Sequence, residues 1–436
     1  MHIVQLSDFY RPFIGGLERH VETLSHELIR LGHTVTVVTL QIGDDPAEEI
    51  LDGIRVIRIR GWSRHLTALY ADPAHPFHPT VPDPGVMAAL RRVLHQERPA
   101  VVHSQGWLGY SYFPLHHRQR GPAHVVTLHD YGMACPKKTL QQVTRRPASS
   151  ADDRPSGRPD AAASRPCSGP RLAKCLACAP EQYGVLKGAA ITTGLRASRI
   201  LHGRADRYIA ISTAVADGSR PVLPSRSEIV VIPTMVPNGL PALARATPRP
   251  AFLPSGDGYL MFVGALGRHK GVDVLLEARR RMRNGPPLVL IGTPRPDTPR
   301  LDDPHVVIAR NVPSAQVMAS WMGASIAVVP SVWSEPLGQV AVEAMLLGPA
   351  VVASDVGGLR DVVKHGTTGL MVPPGDPGAL AAALDRLLDD PAARQRMSEM
   401  GRLHARRFEA AAVAPRVVEV FEDARLRRRG TRPGSR

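Results

Sequence analysis

Apolar and polar residues in the first forty positions follow two different spacings. Apolar runs at residues 2–6 and 34–40 predict two strands. Between them a three- and four-residue spacing predicts a helix over 17–31 with one buried face; its apolar positions are Leu17, Val21, Leu24, Leu28 and Leu31. A strand, helix, strand order joins parallel strands through a crossover. The chain is therefore predicted to begin with an α/β unit.

This alternation continues through the first half of the chain and restarts in the second half. Further strands are predicted at residues 55–59, 100–103, 125–129 and 208–212. After a proline-rich stretch at 233–254 a new series begins, with predicted strands at 259–263, 288–291, 305–308 and 326–330 and predicted helices at 272–282, 315–322 and 338–347. A chain of 436 residues can bury two cores. We therefore predict an α/β protein with two domains.

The predicted domain boundaries follow these changes in pattern. Residues 1–220 form the first α/β domain, interrupted at 135–180 by a segment rich in proline, serine, alanine and arginine. Residues 221–256 are predicted as a linker and residues 257–408 as the second α/β domain. A last helix is expected in 409–436, where it packs back on the first domain and ends in a basic tail.

Charge and composition exclude one class of function. The formal net charge is +15, but the lysines are few and the arginines are scattered except near the C-terminus. Aromatic residues make up 5% of the chain, too few for base-stacking platforms, so we expect no nucleic-acid binding. The basic tail is instead compatible with peripheral contact at the anionic inner face of a membrane.

Neither the start of the chain nor its best apolar stretch indicates membrane insertion or export. Residues 2–6 have the pattern of a strand and lack the basic start and apolar middle of a signal peptide. The stretch 337–353 contains Gln339 and Glu343, so it does not have the uninterrupted apolar character of a spanning helix. We expect a cytoplasmic protein.

Two glutamates placed eight residues apart are the central chemical signal. Glu335 lies in a predicted loop and Glu343 lies two turns into the following helix, which begins near Gly338 and Gln339. The first amide groups of a helix have no intrahelical partner and lie at the positive end of its dipole, so they can bind a phosphate. Glu343 can accept hydrogen bonds from a vicinal diol such as ribose, and Glu335 can hold hydroxyls beyond the phosphates.

Ordered motifs in both halves of the chain resemble the retaining, nucleotide-sugar-dependent glycosyltransferases of family 4. The motifs are residues 12–18, 32–35 and 129–130 in the first half and 263–264, 270–273, 335–343, 355–358 and 366–370 in the second half. The resemblance implies the GT-B fold, in which two facing Rossmann-like, doubly wound domains enclose a cleft. It also implies that the second domain holds most of the donor and the first domain most of the acceptor.

The resemblance assigns roles to three charged residues of the second half. Glu343 is expected to bind the donor ribose, and Glu335 is expected to contact the transferred sugar. Lys270 is expected to stabilise the diphosphate more strongly as the bond to the sugar breaks, so it acts as an electrophilic support and not as a base.

One position departs from the family pattern. Family members usually carry an arginine directly after the glycine that matches Gly264, where this chain has Ala265. Arg268, three residues further along the same loop, is the candidate to reach the phosphates in its place. The alternative is a site that uses Lys270 and the helix amides alone.

Three candidates lie in the first half. Gly15 and Gly16 precede the first helix, and the absence of side chains there allows the backbone to approach a ligand closely. His129 follows a predicted strand at its carboxyl end, where ligand crevices occur in open α/β sheets. By resemblance, His129 contacts the donor sugar from the opposite domain.

These features predict a hexosyltransferase that needs no cofactor for catalysis. The sequence has no Asp-x-Asp triplet, the usual metal signature of the other main glycosyltransferase fold. The expected reaction moves a sugar from a UDP- or GDP-sugar to a glycan, lipid-linked or small-molecule acceptor in polysaccharide or glycoconjugate biosynthesis. The alternative is a non-catalytic sugar-nucleotide binder of the same fold. A dinucleotide oxidoreductase is disfavoured because the glycine-x-glycine triplet at 256–258 precedes its strand.

All four cysteines lie in or beside the interrupting segment; they are Cys135, Cys167, Cys175 and Cys178. Two residues separate the last two, a gap that lets both sulfurs of a knuckle face one tetrahedral ion. A reducing cytoplasm argues against disulfides. A structural zinc is one hypothesis, and free thiols, an iron–sulfur cluster and a disulfide are the alternatives.

Overall fold

Two β-sheets of eight and six strands, packed with helices, organise the chain. The computed structural model describes residues 1–13, 15–66, 77–117, 121–144, 163–256, 258–300 and 303–428. In both sheets the strands are parallel, apart from one antiparallel pair at an edge of the first sheet. This architecture confirms the predicted pair of α/β domains.

The first domain contains the larger sheet. Its strands and helices, with a separate hairpin, are β1 (His2–Leu6), α1 (Gly16–Arg30), β2 (Thr34–Leu40), β3 (Glu48–Leu51), β4 (Ile54–Ile59), α2 (Pro84–Glu97), β5 (Val101–Ser104), α3 (Gly109–Tyr112), β6 (Ala123–Leu128), β7 (Gln141–Thr144), β8 (Ala163–Pro166), α4 (Leu172–Cys178), α5 (Pro180–Tyr183), α6 (Val185–His202), β9 (Arg207–Ala210), α7 (Thr213–Ser219) and β10 (Ile229–Val231). Helix α8 (Leu240–Ala246) follows β10 and leads to the second domain. The strand order is β10-β9-β6-β5-β1-β2-β4-β3, with β3 and β4 antiparallel. The apolar face predicted for α1 is buried at Val21, Leu24 and Leu28.

The second domain contains the smaller sheet, in the order β13-β12-β11-β14-β15-β16. Its elements are β11 (Tyr259–Val263), α9 (Val272–Arg281), β12 (Leu288–Ile291), β13 (Val306–Ala309), α10 (Ser314–Trp321), β14 (Ala324–Val329), α11 (Gln339–Leu347), β15 (Ala350–Ser354), α12 (Leu359–Val362), β16 (Gly369–Val372), α13 (Pro377–Asp389) and α14 (Pro391–Ala405). Strand order reverses at β11 and β14, so the loops after these two strands lie on either side of a switch point. Ligand crevices form at such points in open α/β sheets.

The last helix, α15 (Ala410–Arg428), returns to the first domain. It packs against α1 and β6, and Phe421 of α15 is fully buried. The chain crosses back beside the proline-rich stretch, where the Val236 amide donates to the Phe408 carbonyl and the Ala410 amide donates to the Val236 carbonyl, both at 2.9 Å. The two crossings between the domains are therefore hydrogen-bonded to each other.

The segment predicted as a linker at 221–256 contains regular structure. Strand β10 pairs in parallel with β9 and extends the first sheet. Helix α8 packs against α10 and α11 of the second domain. The first domain therefore continues past residue 220, and the second domain gains a helix that precedes its first strand.

The interrupting segment folds in part as a two-stranded antiparallel hairpin of β7 and β8, followed by α4 and α5. Residues 145–162 of this segment lie outside the described residues, as do the tail beyond Arg428, Ile14 of the glycine motif and Asp257 of the glycine-x-glycine triplet. In the part of the chain that the structure describes, no helix has both the length and the apolar character that spanning a bilayer requires.

Candidate functional site

A largely buried ion pair joins the loop between β11 and α9 to the loop between β14 and α11. The Lys270 ammonium donates to both carboxylate oxygens of Glu335, at 2.9 Å to Oε1 and 2.8 Å to Oε2. Ser331 Oγ and Trp333 Nε1 donate to Oε2 of the same carboxylate at 3.0 and 2.8 Å. The Lys270 ammonium also lies 5.1 Å from the centre of the Trp333 ring. The structure thus brings Lys270 and Glu335 together, with Glu335 fixed from three sides.

Backbone contacts hold the two loops of this pair in register. The Val332 amide donates to the His269 carbonyl at 3.0 Å, next to Lys270. The Gly358 amide, in the loop after β15, donates to the Glu335 carbonyl at 2.7 Å. Gly357 has φ +56°, and a Cβ atom there would lie 2.3 Å from the Glu335 carbonyl oxygen. Only glycine fits this close approach without displacing the loop that carries Glu335.

Glu343 lies on α11 and lines a cavity of about 430 Å³ between the domains. Arg19 and His26 of α1 line the same cavity from the first domain, and Gln339, one helical turn before Glu343, lines it from the second. Burial raises the pKa of Glu343 to about 7, and the positive charge of Arg19 opposes that rise. A carboxyl group at the domain boundary is therefore poised to change its protonation near neutral pH.

His129 ends β6 on the side of the first domain that faces the second. Its Nε2 donates to Oε1 of Gln105 at 3.0 Å, and the Gln105 amide donates in turn to Gln5. Burial, with the nearby His20 and His103, holds the pKa of His129 well below its usual value, so the ring is neutral at pH 7. The Gln105 contact fixes the proton on Nε2 and leaves Nδ1 as the acceptor of the ring.

A smaller cavity, of about 60 Å³, adjoins His129 within the first domain. Trp107, Asp130 and Lys138 line it. The Lys138 ammonium lies 4.1 Å from the centre of the Trp107 ring and 3.9 Å from Asp130 Oδ2. The cavity therefore offers an aromatic face, a cation and a carboxylate to a polar ligand.

Two contacts join the loop after β6 to the loop that carries Glu335. Tyr131 OH and Ser334 Oγ share a hydrogen bond of 2.6 Å. Gln141 Nε2 donates to the Val332 carbonyl at 3.4 Å. The first-domain site around His129 and the second-domain site around Glu335 are therefore neighbours across the cleft.

The structure groups some of the predicted residues and separates others. Gln339 and Glu343 line the cavity between the domains, whereas Lys270 and Glu335 are not part of its described lining. Gly338 caps α11 with φ +88°. The side chain of Arg268 is exposed and lines neither of these two cavities, so its predicted phosphate contact remains a prediction.

The glycine pair before α1 has two different environments. A Cβ atom at Gly15 would lie 2.4 Å from Glu18 Oε2, whereas one at Gly16 would meet nothing within 4 Å. A side chain at Gly15 would therefore displace the carboxylate end of Glu18, whereas one at Gly16 would have room. The predicted approach of a ligand to this backbone remains a prediction.

Sequence reasoning missed three residues that shape the site. Arg19 follows the glycine motif directly and lies one turn beyond Gly15 on α1, a spacing that could have indicated it. Trp333 holds Glu335 and lies two residues before it. Lys138 comes nine residues after His129 and returns to the same cavity, which no local pattern indicates.

Two family models match this chain. The model described as Glycosyltransferase Family 4 matches residues 14–162, and the model described as Glycosyl transferases group 1 matches residues 245–404. Together they cover most of both domains, including His129 in the first match and Lys270, Glu335 and Glu343 in the second.

Similar proteins carry the names of sugar-transferring enzymes. The glycogen synthase of Mycobacterium tuberculosis is 28% identical over 99% of this chain and 97% of its own length. A D-inositol 3-phosphate glycosyltransferase of Thermobispora bispora is 33% identical over 42% of this chain and 47% of its own length. These names disfavour the alternative of a non-catalytic binder.

Solved structures share the fold over nearly the whole chain. Sucrose-phosphate synthase from Thermosynechococcus elongatus gives a TM-score of 0.68 at 23% identity and covers 97% of this chain and 98% of that chain. Anabaena HepE in complex with UDP and glucose gives a TM-score of 0.64 at 18% identity over 97% and 100%. The two matching models, the related enzymes and the two-domain architecture together place this chain among the GT-B glycosyltransferases, in the group that family 4 describes.

Proposed function

We propose that this glycosyltransferase uses a nucleotide-sugar donor bound across the cleft, with retention of configuration at the transferred sugar. The observation that carries the proposal is the Lys270–Glu335 ion pair in front of α11, the helix that presents Glu343 to the cavity between the domains. The ribose of a nucleoside needs an acceptor for its two hydroxyls, which the Glu343 carboxylate supplies. The diphosphate needs a cation and amide donors, which Lys270 and the start of α11 supply. The sugar needs acceptors for its hydroxyls, which Glu335 supplies.

The ion pair would exchange partners when the donor binds. In the structure Lys270 donates to Glu335, and Oε2 of Glu335 accepts two further hydrogen bonds, from Ser331 and Trp333. A diphosphate competes for the ammonium, and the carboxylate oxygens then become available to hydroxyls of the sugar. As the bond between the sugar and the phosphate breaks, negative charge grows on the phosphate oxygen that Lys270 contacts.

The first domain supplies the binding site of the acceptor and one contact to the transferred sugar. His129, neutral and with Nδ1 as its acceptor, receives a hydrogen bond from a sugar hydroxyl. The cavity lined by Trp107, Asp130 and Lys138 receives the acceptor. The acceptor oxygen bonds to the anomeric carbon on the face from which the phosphate departs, and its proton passes to that phosphate, so no side chain acts as base.

Named similar proteins support this choice of donor. Anabaena HepE is described in complex with UDP and glucose, and starch synthase IV of Arabidopsis thaliana in complex with ADP and acarbose. A trehalose-phosphate synthase of Burkholderia xenovorans is described with glucose-6-phosphate. We infer for this chain a nucleotide sugar as donor and a sugar-containing acceptor.

A panel of UDP-, GDP- and ADP-sugars tests the proposal. Each is incubated with the protein and candidate acceptors, and release of the nucleoside diphosphate is measured beside thermal shifts. We expect release from sugars of one nucleotide, and a product whose anomeric configuration matches that of the donor by NMR. Thermal shifts without release would support the non-catalytic alternative, and an inverted product would contradict the retaining mechanism.

Substitution of Gly357 should impair the position of Glu335. In Gly357→Ala the new Cβ collides with the Glu335 carbonyl and adds the strain of φ +56°. We expect the transfer rate to fall by at least about 10-fold, since a small misplacement of a reacting group costs this much or more. Gly366→Ala is the matched control: its φ is +76°, but its Cβ would meet nothing within 4 Å, so it adds strain alone. Equal losses of rate in the two variants would contradict the role of the close contact.

A further inference from the structure

The four cysteines converge from three separate segments on one small cavity. Cys135 lies in the loop after β6, Cys167 directly follows β8, and Cys175 and Cys178 lie on α4. All four line a cavity of about 20 Å³. The convergence of Cys135 with the others is long-range in sequence, and it brings every cysteine of the chain to one place.

The segments that carry the cysteines are tied together by hydrogen bonds. The Cys167 amide donates to the Leu140 carbonyl at 2.7 Å, and the Cys178 thiol lies 3.7 Å from the Gln141 carbonyl oxygen. Lys174 Nζ donates to Cys167 Sγ at 3.2 Å. These contacts connect the chain after β6, the residue after β8 and helix α4 around the cavity.

We propose that Cys135, Cys167, Cys175 and Cys178 bind one structural zinc ion. Four sulfur donors are a common ligand set of structural zinc sites, and the spacing of Cys175 and Cys178 places both on one face of α4. Binding replaces four thiol protons by Zn²⁺, which gives a complex of charge −2 and releases four protons to solvent. Lys174 lies in the lining of the cavity and offsets part of that charge.

The four cysteines line the cavity, but their sulfur atoms are not within ligand distance of one common point. Among the described residues, the group of three whose ligand atoms all lie within 4.8 Å of one another is Glu22, His26 and Asp52, and not a set of cysteines. Arg11 already forms ion pairs with Glu22 and Asp52, so both carboxylates have a partner within the protein. The thiols must therefore move closer together to hold one ion.

The ion would fasten the loop that reaches the second domain. Cys135 lies four residues after Tyr131, which bonds to Ser334, and six residues before Gln141, which bonds to the Val332 carbonyl. A tetrahedral centre at Cys135 links this loop to β8 and α4. The zinc proposal itself does not rest on the proposed donor or reaction.

Metal analysis of the full chain tests the proposal. The protein is purified without chelators, and its zinc content per chain is measured by elemental mass spectrometry. We expect about one zinc per chain, and less than about one tenth of this in Cys175→Ser/Cys178→Ser, because a structural site needs its four ligands. His26→Ala is the control and should keep its zinc. Zinc lost from His26→Ala but kept in the double variant would overturn the proposal.

A second measurement uses the unmodified chain, so it tests the zinc site even if the double variant does not fold. Zinc is stripped with a chelator under reducing conditions and replaced by Co²⁺. We expect the sulfur-to-cobalt charge-transfer band and the visible bands of tetrahedral cobalt, and a lower Tm of the stripped protein that Zn²⁺ restores. Absence of these bands together with zinc-free purified protein, a mass showing disulfides, or bound iron with sulfide would each overturn the proposal.

Discussion

Replacing Lys270 by alanine should lower kcat by about 100- to 1,000-fold, with a much smaller change in the affinity for the intact nucleotide-sugar donor. Before the donor binds, Lys270 is bound to Glu335. Its contact to the diphosphate gains strength as negative charge develops on the leaving group, so it stabilises the transition state more than the bound donor. Loss of such an interaction lowers kcat more than it raises KM. The measurement is steady-state transfer beside calorimetric titration with the nucleotide sugar in the absence of acceptor.

Two variants separate chemistry from folding in this experiment. Lys364→Ala removes an exposed lysine of the same domain and should leave kcat unchanged. Lys270→Arg keeps the charge but changes its shape and reach, so it should recover only part of the rate. An unchanged kcat in Lys270→Ala, or a loss fully accounted for by a fall in Tm, would contradict the assigned role.

Replacing Glu343 by alanine should weaken binding of the nucleoside diphosphate by about 10- to 100-fold, the effect expected for lost hydrogen bonds to a charged group. The carboxylate faces the cavity between the domains, where a diol can bind both of its oxygens. kcat at saturating donor should change much less than the dissociation constant. Unaltered affinity in Glu343→Ala would place the nucleoside elsewhere.

The raised pKa of Glu343 makes the stability of the folded protein depend on pH, which gives a second test beside the Glu343→Ala variant. Because burial raises this pKa from 4.5 to about 7, the folded protein keeps a proton that the unfolded chain releases. The stability contributed by the protonated group is full below about pH 4.5 and is lost as the pH rises through about 7. Glu343→Gln lacks this loss, so its Tm should rise relative to the unmodified protein between pH 5 and pH 8.

Nucleotide affinity should show the opposite dependence. The carboxylate form binds a diol better than the carboxyl form, so the affinity of the unmodified protein should increase as the pH rises through about 7. In Glu343→Gln that part of the increase should be absent, while changes due to the phosphate groups remain. Glu419→Gln, at an exposed position of α15, is the matched control and should behave as the unmodified protein in both measurements.

Local patterns predicted the strands of both sheets apart from β3, β10, β15 and β16, because buried parallel strands form apolar runs between amphipathic helices. Strand β12 spans Leu288–Ile291, as its apolar run predicted, and α1 begins and ends one residue before its predicted bounds. Strand β10 was missed because it has three residues at a sheet edge, with Val230 and Val231 both 36% exposed. A proline-rich surrounding then favoured a linker.

The placement of Glu335 and Glu343 could be predicted because a short loop and one helix join them. Their roles toward the donor stay a prediction. Arg19 was missed because it reaches the cavity from the other domain, and the relative placement of two domains leaves no local pattern in the chain. The meeting of Cys135 with Cys178 depends in the same way on tertiary structure.

The position of the donor can be determined from a crystal structure of the protein with the nucleoside diphosphate chosen from the donor panel. We expect the ribose hydroxyls to donate to the Glu343 carboxylate and the diphosphate to accept from Lys270 and the first amides of α11, with Lys270 moved away from Glu335. A nucleotide bound with Lys270 still paired to Glu335 and with its ribose out of hydrogen-bond distance of Glu343 would contradict this placement.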